Sequence, residues 1–188
     1  MTAASPAALA QCSPLVTCQL VWQDEFNGSQ VDQSKWEFMI GDGSAFGIPG
    51  WGNNEQQWYQ EDNATVANGM LTITARQEFA GNRSYTSTRL RSLDRGDWTY
   101  GRFEARAKLP EGQGMWPAFW MLSSVPELYG VWAASGEIDI MESIGSQPDR
   151  IFGTIHYGGS FPDNVFTGNE YFLPPGSATA SRLLLTPS

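Results

Sequence analysis

Three carboxylates stand inside one short apolar run: Glu137, Asp139 and Glu142 in GEIDIMESIG, residues 136–145. Around them are Ile138, Ile140 and Met141, a composition that reads as a buried strand. Strand side chains alternate between faces, so Glu137 and Asp139 share one face and Ile138 and Ile140 the other. Glu142 is out of phase by one residue. In an unbroken strand it would point with the isoleucines into the core. A single β-bulge near Met141 absorbs one residue and returns Glu142 to the acidic face. A helix would set the three acids at about 0, 200 and 140 degrees around its axis, which gathers nothing. The β-branched isoleucines also favour strand. With the bulge, Glu137 and Glu142 lie four effective positions apart, roughly 13 Å between Cα atoms. Two side chains each reaching about 4 Å towards the other close most of that gap, so that one carboxylate can serve as nucleophile and the other as acid/base. Three close acids cannot all ionise at their ordinary pKa, so one is raised and carries a proton near neutral pH, with Glu142 its natural holder. A solvated acidic edge fits the interleaved Ile-Ile-Met badly. A calcium site built from Glu-Asp-Glu is the stronger alternative.

The rest of the chain must position these acids. Its 188 residues suffice for one domain with a sizeable core. A net charge of −9 argues against a nucleic-acid or anionic-membrane partner. No run of 18 apolar residues is present, so no transmembrane helix is expected. Cys12 and Cys18 allow a local disulfide if the protein is exported, or two free thiols. No Cys/His cluster suggests zinc. The start, MTAASPAALAQC, lacks a basic n-region, although ALAQ resembles the small-residue end of a leader.

The pattern along the chain is all-β. Strands are expected at VWQDEF (21–26), within NATVANGMLTITAR (63–76) after its Asn-Gly turn, and at YTSTRLRS (85–92). Others are expected at YGRFEARAKLP (100–110), MWPAFWML (115–122), SGEIDIMES (135–143) and IFGTIHYG (151–158). In FEARAKL the alternation of Phe103, Ala105, Ala107 and Leu109 with charged residues describes a half-buried antiparallel strand. Many strands with regular turns imply a sandwich of two antiparallel sheets.

Eight tryptophans is a high count for this length. In QGMWPAFWML, Trp116 and Trp120 share a face, and Trp132 precedes the acidic strand. Indoles beside carboxylates suit a carbohydrate, whose C–H faces stack on the rings while its hydroxyls meet the acids. The alternative is that these tryptophans are core.

From about Leu20 to Gly159 the chain resembles glycoside hydrolase family 16, of the laminarinase (endo-β-1,3-glucanase) branch. The resemblance rests on WQDEFNG (22–28), WGNNEQQWY (51–59), NGMLTITAR (68–76), YTSTRLRS (85–92), YGRFEARAKLPEGQGMWPAFWML (100–122), SGEIDIMES (135–143) and GTIHYG (153–158). The E-I-D-I-M-E form, with its extra residue before the second Glu, is that of the β-1,3-glucanase branch; lichenase-type members have E-I-D-I-E. The resemblance implies a concanavalin-like β-jelly roll with its cleft on the concave sheet. It implies Glu137 as nucleophile, Glu142 as acid/base and Asp139 as their modulator. Asn53, Glu55 and Arg89 match polar cleft positions, Trp116, Trp120 and Trp132 the aromatic wall, and His156 a position near the leaving group. No cofactor is required; a structural calcium near Asn27–Gly28 is a family option, although the C-terminal Asp that completes it is missing. The implied substrate is an extracellular β-glucan, linked 1,3 or mixed 1,3/1,4, and the implied protein a secreted monomer. Galactan specificity of the agarase or carrageenase kind is a minor alternative, because loops decide it. The expected organisation is a leader or flexible segment at 1–19, the hydrolase domain at 20–176 and an atypical tail at 177–188. The family continues beyond YFLPPG with further strands, so the last strands of both sheets are expected to be absent. A non-catalytic glucan-binding module of the same fold is the alternative in another class; such relatives usually lose the acids that Glu137, Asp139 and Glu142 supply. An inactive fragment is the third.

Overall fold

The computed structural model describes residues 19–174. Cys12, Cys18, the leader-like start and the tail from 177 lie outside the described residues. The chain forms two compact units, residues 1–97 and 98–188.

In the first unit the strands are short. Strand β1 (Glu37–Phe38) pairs antiparallel with β6 (Leu90–Arg91), and β3 (Ala64–Ala67) with β4 (Met70–Ile73). The β3–β4 hairpin turns on Asn68 and Gly69, both at positive φ, as the Asn-Gly signal predicts. Strand β2 (Gln57–Tyr59) pairs parallel with β5 (Tyr85–Ser87), which departs from the expected all-antiparallel arrangement. Parallel pairing joins segments distant in sequence, so no local turn signal announces it. A polar knot holds this region: Asn63 Nδ2 donates to Thr74 O (2.6 Å) and Thr86 Oγ1 (2.8 Å), and both side chains are fully buried. Residues 21–26 are not a strand. Their alternate side chains, Trp22 and Phe26, pack instead on Trp36, whose indole N–H donates to Asp24 at 2.9 Å.

The second unit holds a four-stranded antiparallel sheet in the order β10-β9-β8-β7. Its strands are β7 (Ala118–Leu122), β8 (Glu137–Glu142), β9 (Arg150–Tyr157) and β10 (Val165–Phe172). Leu109, Met141 and Ile151 form its buried apolar cluster, with Ala107 and Phe119 packed against it. Residues 100–110 show the expected burial alternation, Phe103, Ala105, Ala107 and Leu109 being less exposed than Glu104, Arg106 and Lys108. They are nevertheless not assigned to a strand, because a strand requires a hydrogen-bonded neighbour and none pairs with this segment among the described residues.

The apolar face of the sheet is unevenly covered. Met141 and Ile151 are buried, yet Ile138 and Ile155, paired across β8 and β9, are each 44% exposed. Ile138 was expected to lie on the core side, and it shares that side with Met141 and its partner Ile155, but that end of the face lacks a covering layer among the described residues.

Candidate active site

Strand β8 carries the acids, and its pairing reveals how. On one side Phe119 pairs with Met141 and Trp120 with Asp139, leaving Ile140 over. On the other, Asp139 pairs with Thr154 and Glu142 with Phe152, so two β8 residues oppose one on β9. This is the expected bulge, at Ile140–Met141. It turns Glu142 to the face that Glu137 and Asp139 already occupy, while Met141 stays in the core. Cross-strand partners share a face. The acidic face therefore also carries Trp120 and Leu122 from β7, and Phe152, Thr154 and His156 from β9.

Each glutamate has an indole partner. Trp132 Nε1 donates to Glu137 Oε1 at 3.1 Å, and Trp116 Nε1 donates to Glu142 Oε1 at 2.9 Å. Trp132 reaches its position from a left-handed backbone, φ 52, in the short turn Trp132–Ala134 that precedes β8. Such a conformation is costly for a bulky residue and clusters at functional sites. Its ring lies 5.5 Å from that of His156. His156 Nε2 is 3.4 Å from Asp139 Oδ2 and 3.8 Å from Glu137 Oε1.

The electrostatics follow from burial among like charges. Asp139, only 7% exposed, is pushed up to about 7 by desolvation, then by the charges of Glu137 and Glu142. Glu142 is also raised, by desolvation first; the Trp116 hydrogen bond opposes this and the Glu137 charge adds to it. The most strongly raised acid is thus Asp139 rather than Glu142, because burial and both neighbouring charges push Asp139 the same way while the Trp116 hydrogen bond counters burial at Glu142. Glu137, Asp139 and His156 also present three ligand atoms within 4.8 Å of one another, a donor set a divalent cation could use. A metal-bound histidine normally donates its other ring N–H to an acceptor. His156 Nδ1 is buried without a hydrogen-bond partner, so the residues fit a metal poorly.

Asn53, Glu55 and Arg89 belong to the first unit. Asn53 and Glu55 share a turn whose backbone N–H groups both donate to Gly50 O at 3.0 Å. Glu55 accepts from Tyr59 Oη (2.7 Å) and Gln57 Nε2 (2.6 Å), and its Oε1 is 3.9 Å from Arg89. The Arg89 guanidinium sits 4.5 Å above the Trp51 ring. The second unit brings together Glu137, Asp139, Glu142, Trp116, Trp120, Trp132 and His156. To this face the structure adds Phe166, on β10 opposite His156, which the sequence reading does not single out. The signal is weak: every residue of β10 is exposed, so no apolar alternation marks it as a strand.

Residues 52–174 match the family described as Glycosyl hydrolases family 16. The chain is 43% identical over 176 residues to glucan endo-1,3-beta-glucosidase A1 of Niallia circulans, covering 86% of this chain and 25% of that protein. It is 47% identical over 144 residues to a beta-glucanase of Rhodothermus marinus, covering 73% of this chain and 48% of the relative. The chain thus spans at most about half the length of these two relatives. Among solved structures, the laminarinase catalytic domain of Thermotoga maritima superposes with a TM-score of 0.80 at 40% identity, over 89% of this chain and 68% of that one. The expected all-β jelly-roll class is the fold this likeness shows. By its match over 52–174 and its likeness to that domain, the chain belongs to glycosyl hydrolase family 16.

Proposed function

We propose that the chain is the catalytic part of a retaining endo-glycosidase that hydrolyses laminarin-type β-1,3-glucan, or mixed β-1,3/1,4-glucan, by double displacement. The observation that carries this reading is the bulged strand that turns Glu137, Asp139 and Glu142 to one face, each glutamate with an indole N–H partner. A Glu137 oxygen attacks the anomeric carbon, the bond to the departing sugar breaks, and Glu142 gives its proton to the departing oxygen. Water then attacks the same carbon, Glu142 takes the water's proton, and the ester to Glu137 breaks. Asp139, protonated below about 7, relieves the repulsion that a second charge beside Glu137 would bring. Trp116, Trp120 and Trp132 wall the sugar, and His156 stands beside the nucleophile. A polymeric substrate suits a secreted enzyme; among the described residues no helix is long and apolar enough to cross a membrane. Reducing-sugar release from laminarin, lichenan and agarose tests the reading. Release from laminarin is expected, and silence on all three substrates overturns it.

The stereochemistry gives a second check. The first product is expected to keep the β configuration, because each of two displacements inverts the anomeric carbon. Proton NMR during the first minutes of laminarin hydrolysis reads this directly. An initial α-anomer would rule out Glu137 as nucleophile.

The pH profile follows from the raised acids. Activity is expected to fall as pH rises through about 7, where Asp139 loses its proton and places a second charge beside Glu137. In Asp139→Asn the amide cannot ionise, so the alkaline limb loses that midpoint. An identical alkaline limb in wild type and Asp139→Asn would exclude Asp139 from the protonation scheme.

A further inference from the structure

Strand β10 borders the acidic face on the side away from β7, and its register decides which residues it presents there. Phe166 pairs with His156, Gly168 with Thr154 and Glu170 with Phe152. Glu137 pairs with the same His156 from the other side, so Glu137, His156 and Phe166 form one row across three strands. Strand spacing puts Phe166 about 10 Å from Glu137 along that row.

Phe166 is not core. It is 66% exposed, and its ring contact is with a polar residue, His156, at 5.8 Å between centroids and an interplanar angle of 38°. His156 in turn meets Trp132 at 5.5 Å and 39°. Trp132, His156 and Phe166 thus make a ramp of three rings at near-equal spacing and tilt, leading outward from the nucleophile. Beside Phe166 on the same face, Gly168 leaves the space of its missing side chain to Thr154, since a Cβ there would meet Thr154 Oγ1 at 2.9 Å and Gly153 O at 3.0 Å. Further along the strand, Glu170 is held by Arg150 at 3.0 Å. An exposed ring with a hydroxyl and a fixed carboxylate along the same strand face suits a pyranose, with an apolar face to stack and hydroxyls that need acceptors.

We infer that Phe166 is a sugar-binding platform of the catalytic face, stacking on a glucose unit of the bound glucan away from the one at Glu137. The inference rests on the β-glucan reading of that face. Because the platform is remote from the bond cleaved, only chains long enough to reach it gain from it.

Titration calorimetry of laminari-oligosaccharides of increasing length against Glu137→Gln protein, with and without Phe166→Ala, tests this. Phe166→Ala is expected to weaken binding of long chains by about five- to tenfold and leave the shortest unchanged. Phe166→Tyr, which keeps the ring, is expected to restore it. An equal loss at every length would mean that Phe166 only steadies His156, and no loss at any length would mean that it touches no sugar. Either result overturns the inference. Wild-type hydrolysis is measured alongside. An inactive wild type whose long-chain binding still depends on Phe166 would overturn the catalytic reading and leave the platform standing. Active wild type with length-independent Phe166→Ala binding would do the reverse.

Discussion

Glu137→Gln is expected to abolish laminarin turnover, and Glu142→Gln to reduce it by about 10²–10⁴-fold while sparing much of the activity on aryl glycosides with good leaving groups. The two losses differ because the two residues do different work. An amide at 137 cannot form the glycosyl ester, so no substrate escapes the block. An amide at 142 cannot protonate the departing oxygen, but a nitrophenolate leaves without that proton. Both substitutions keep side-chain size and an oxygen able to accept from Trp132 or Trp116, so the surroundings have little reason to move. Azide should separate them further. In Glu142→Gln a small anion can attack the glycosyl-enzyme without base assistance and release product; in Glu137→Gln no such ester exists. Wild-type rates on laminarin in Glu137→Gln would remove it from the chemistry, and equal losses on aryl glycoside and laminarin in Glu142→Gln would remove its acid role.

The second large effect is expected in the association state. On the face opposite the acids, Ile138, Ile155, Tyr157 and Val165 lie on three adjacent strands, and all are more than 40% exposed. A contiguous apolar stripe of this kind drives contact with other surfaces. Among the described residues, strand β10 also ends the sheet order in the second unit, and an edge strand offers unpaired backbone groups to a second chain. The 188-residue chain is therefore expected to bind a hydrophobic dye and to self-associate as its concentration rises. Substituting Ile138, Ile155 and Val165 together by Thr keeps β-branching while removing apolar area, and is expected to reduce both signals several-fold. Sedimentation velocity over a hundredfold concentration range reads the outcome. A monomer throughout, with no dye binding and a sharp cooperative melt, would show that the stripe is shielded in solution.

How much of this was legible in the sequence depends on whether the signal was local. The acidic strand was legible because three carboxylates among Ile138, Ile140 and Met141 admit few arrangements, and strand parity showed that a bulge is what returns Glu142 to the acidic face. The Asn68-Gly69 hairpin was legible for the same reason, since the turn residues carry its geometry. The alternation over 103–109 was read correctly as burial and wrongly as a paired strand, because parity describes faces and says nothing of neighbours. The parallel β2–β5 pairing joins residues 57–59 to 85–87 across the whole β3–β4 hairpin, so no single turn marks it. Trp132 was placed at the site by resemblance, yet the role of its N–H depends on a left-handed backbone that no residue type announces. Asp139 as the most strongly raised acid required knowing its burial, which its flanking isoleucines hid by being the more exposed.

The bulge at Ile140–Met141 separates two quantities that usually travel together, the count of residues along a strand and the length they span. From Glu137 to Glu142 the chain advances five residues, but their partners on β9, His156 and Phe152, are only four apart. The ruler that spaces the two carboxyl groups is therefore β9, and β8 merely conforms to it. Loss of one residue at the bulge would leave both glutamates opposite the same partners with their faces unchanged, so the spacing tolerates a shorter acidic segment. Loss of one residue from β9 between Phe152 and His156 would shorten the ruler itself.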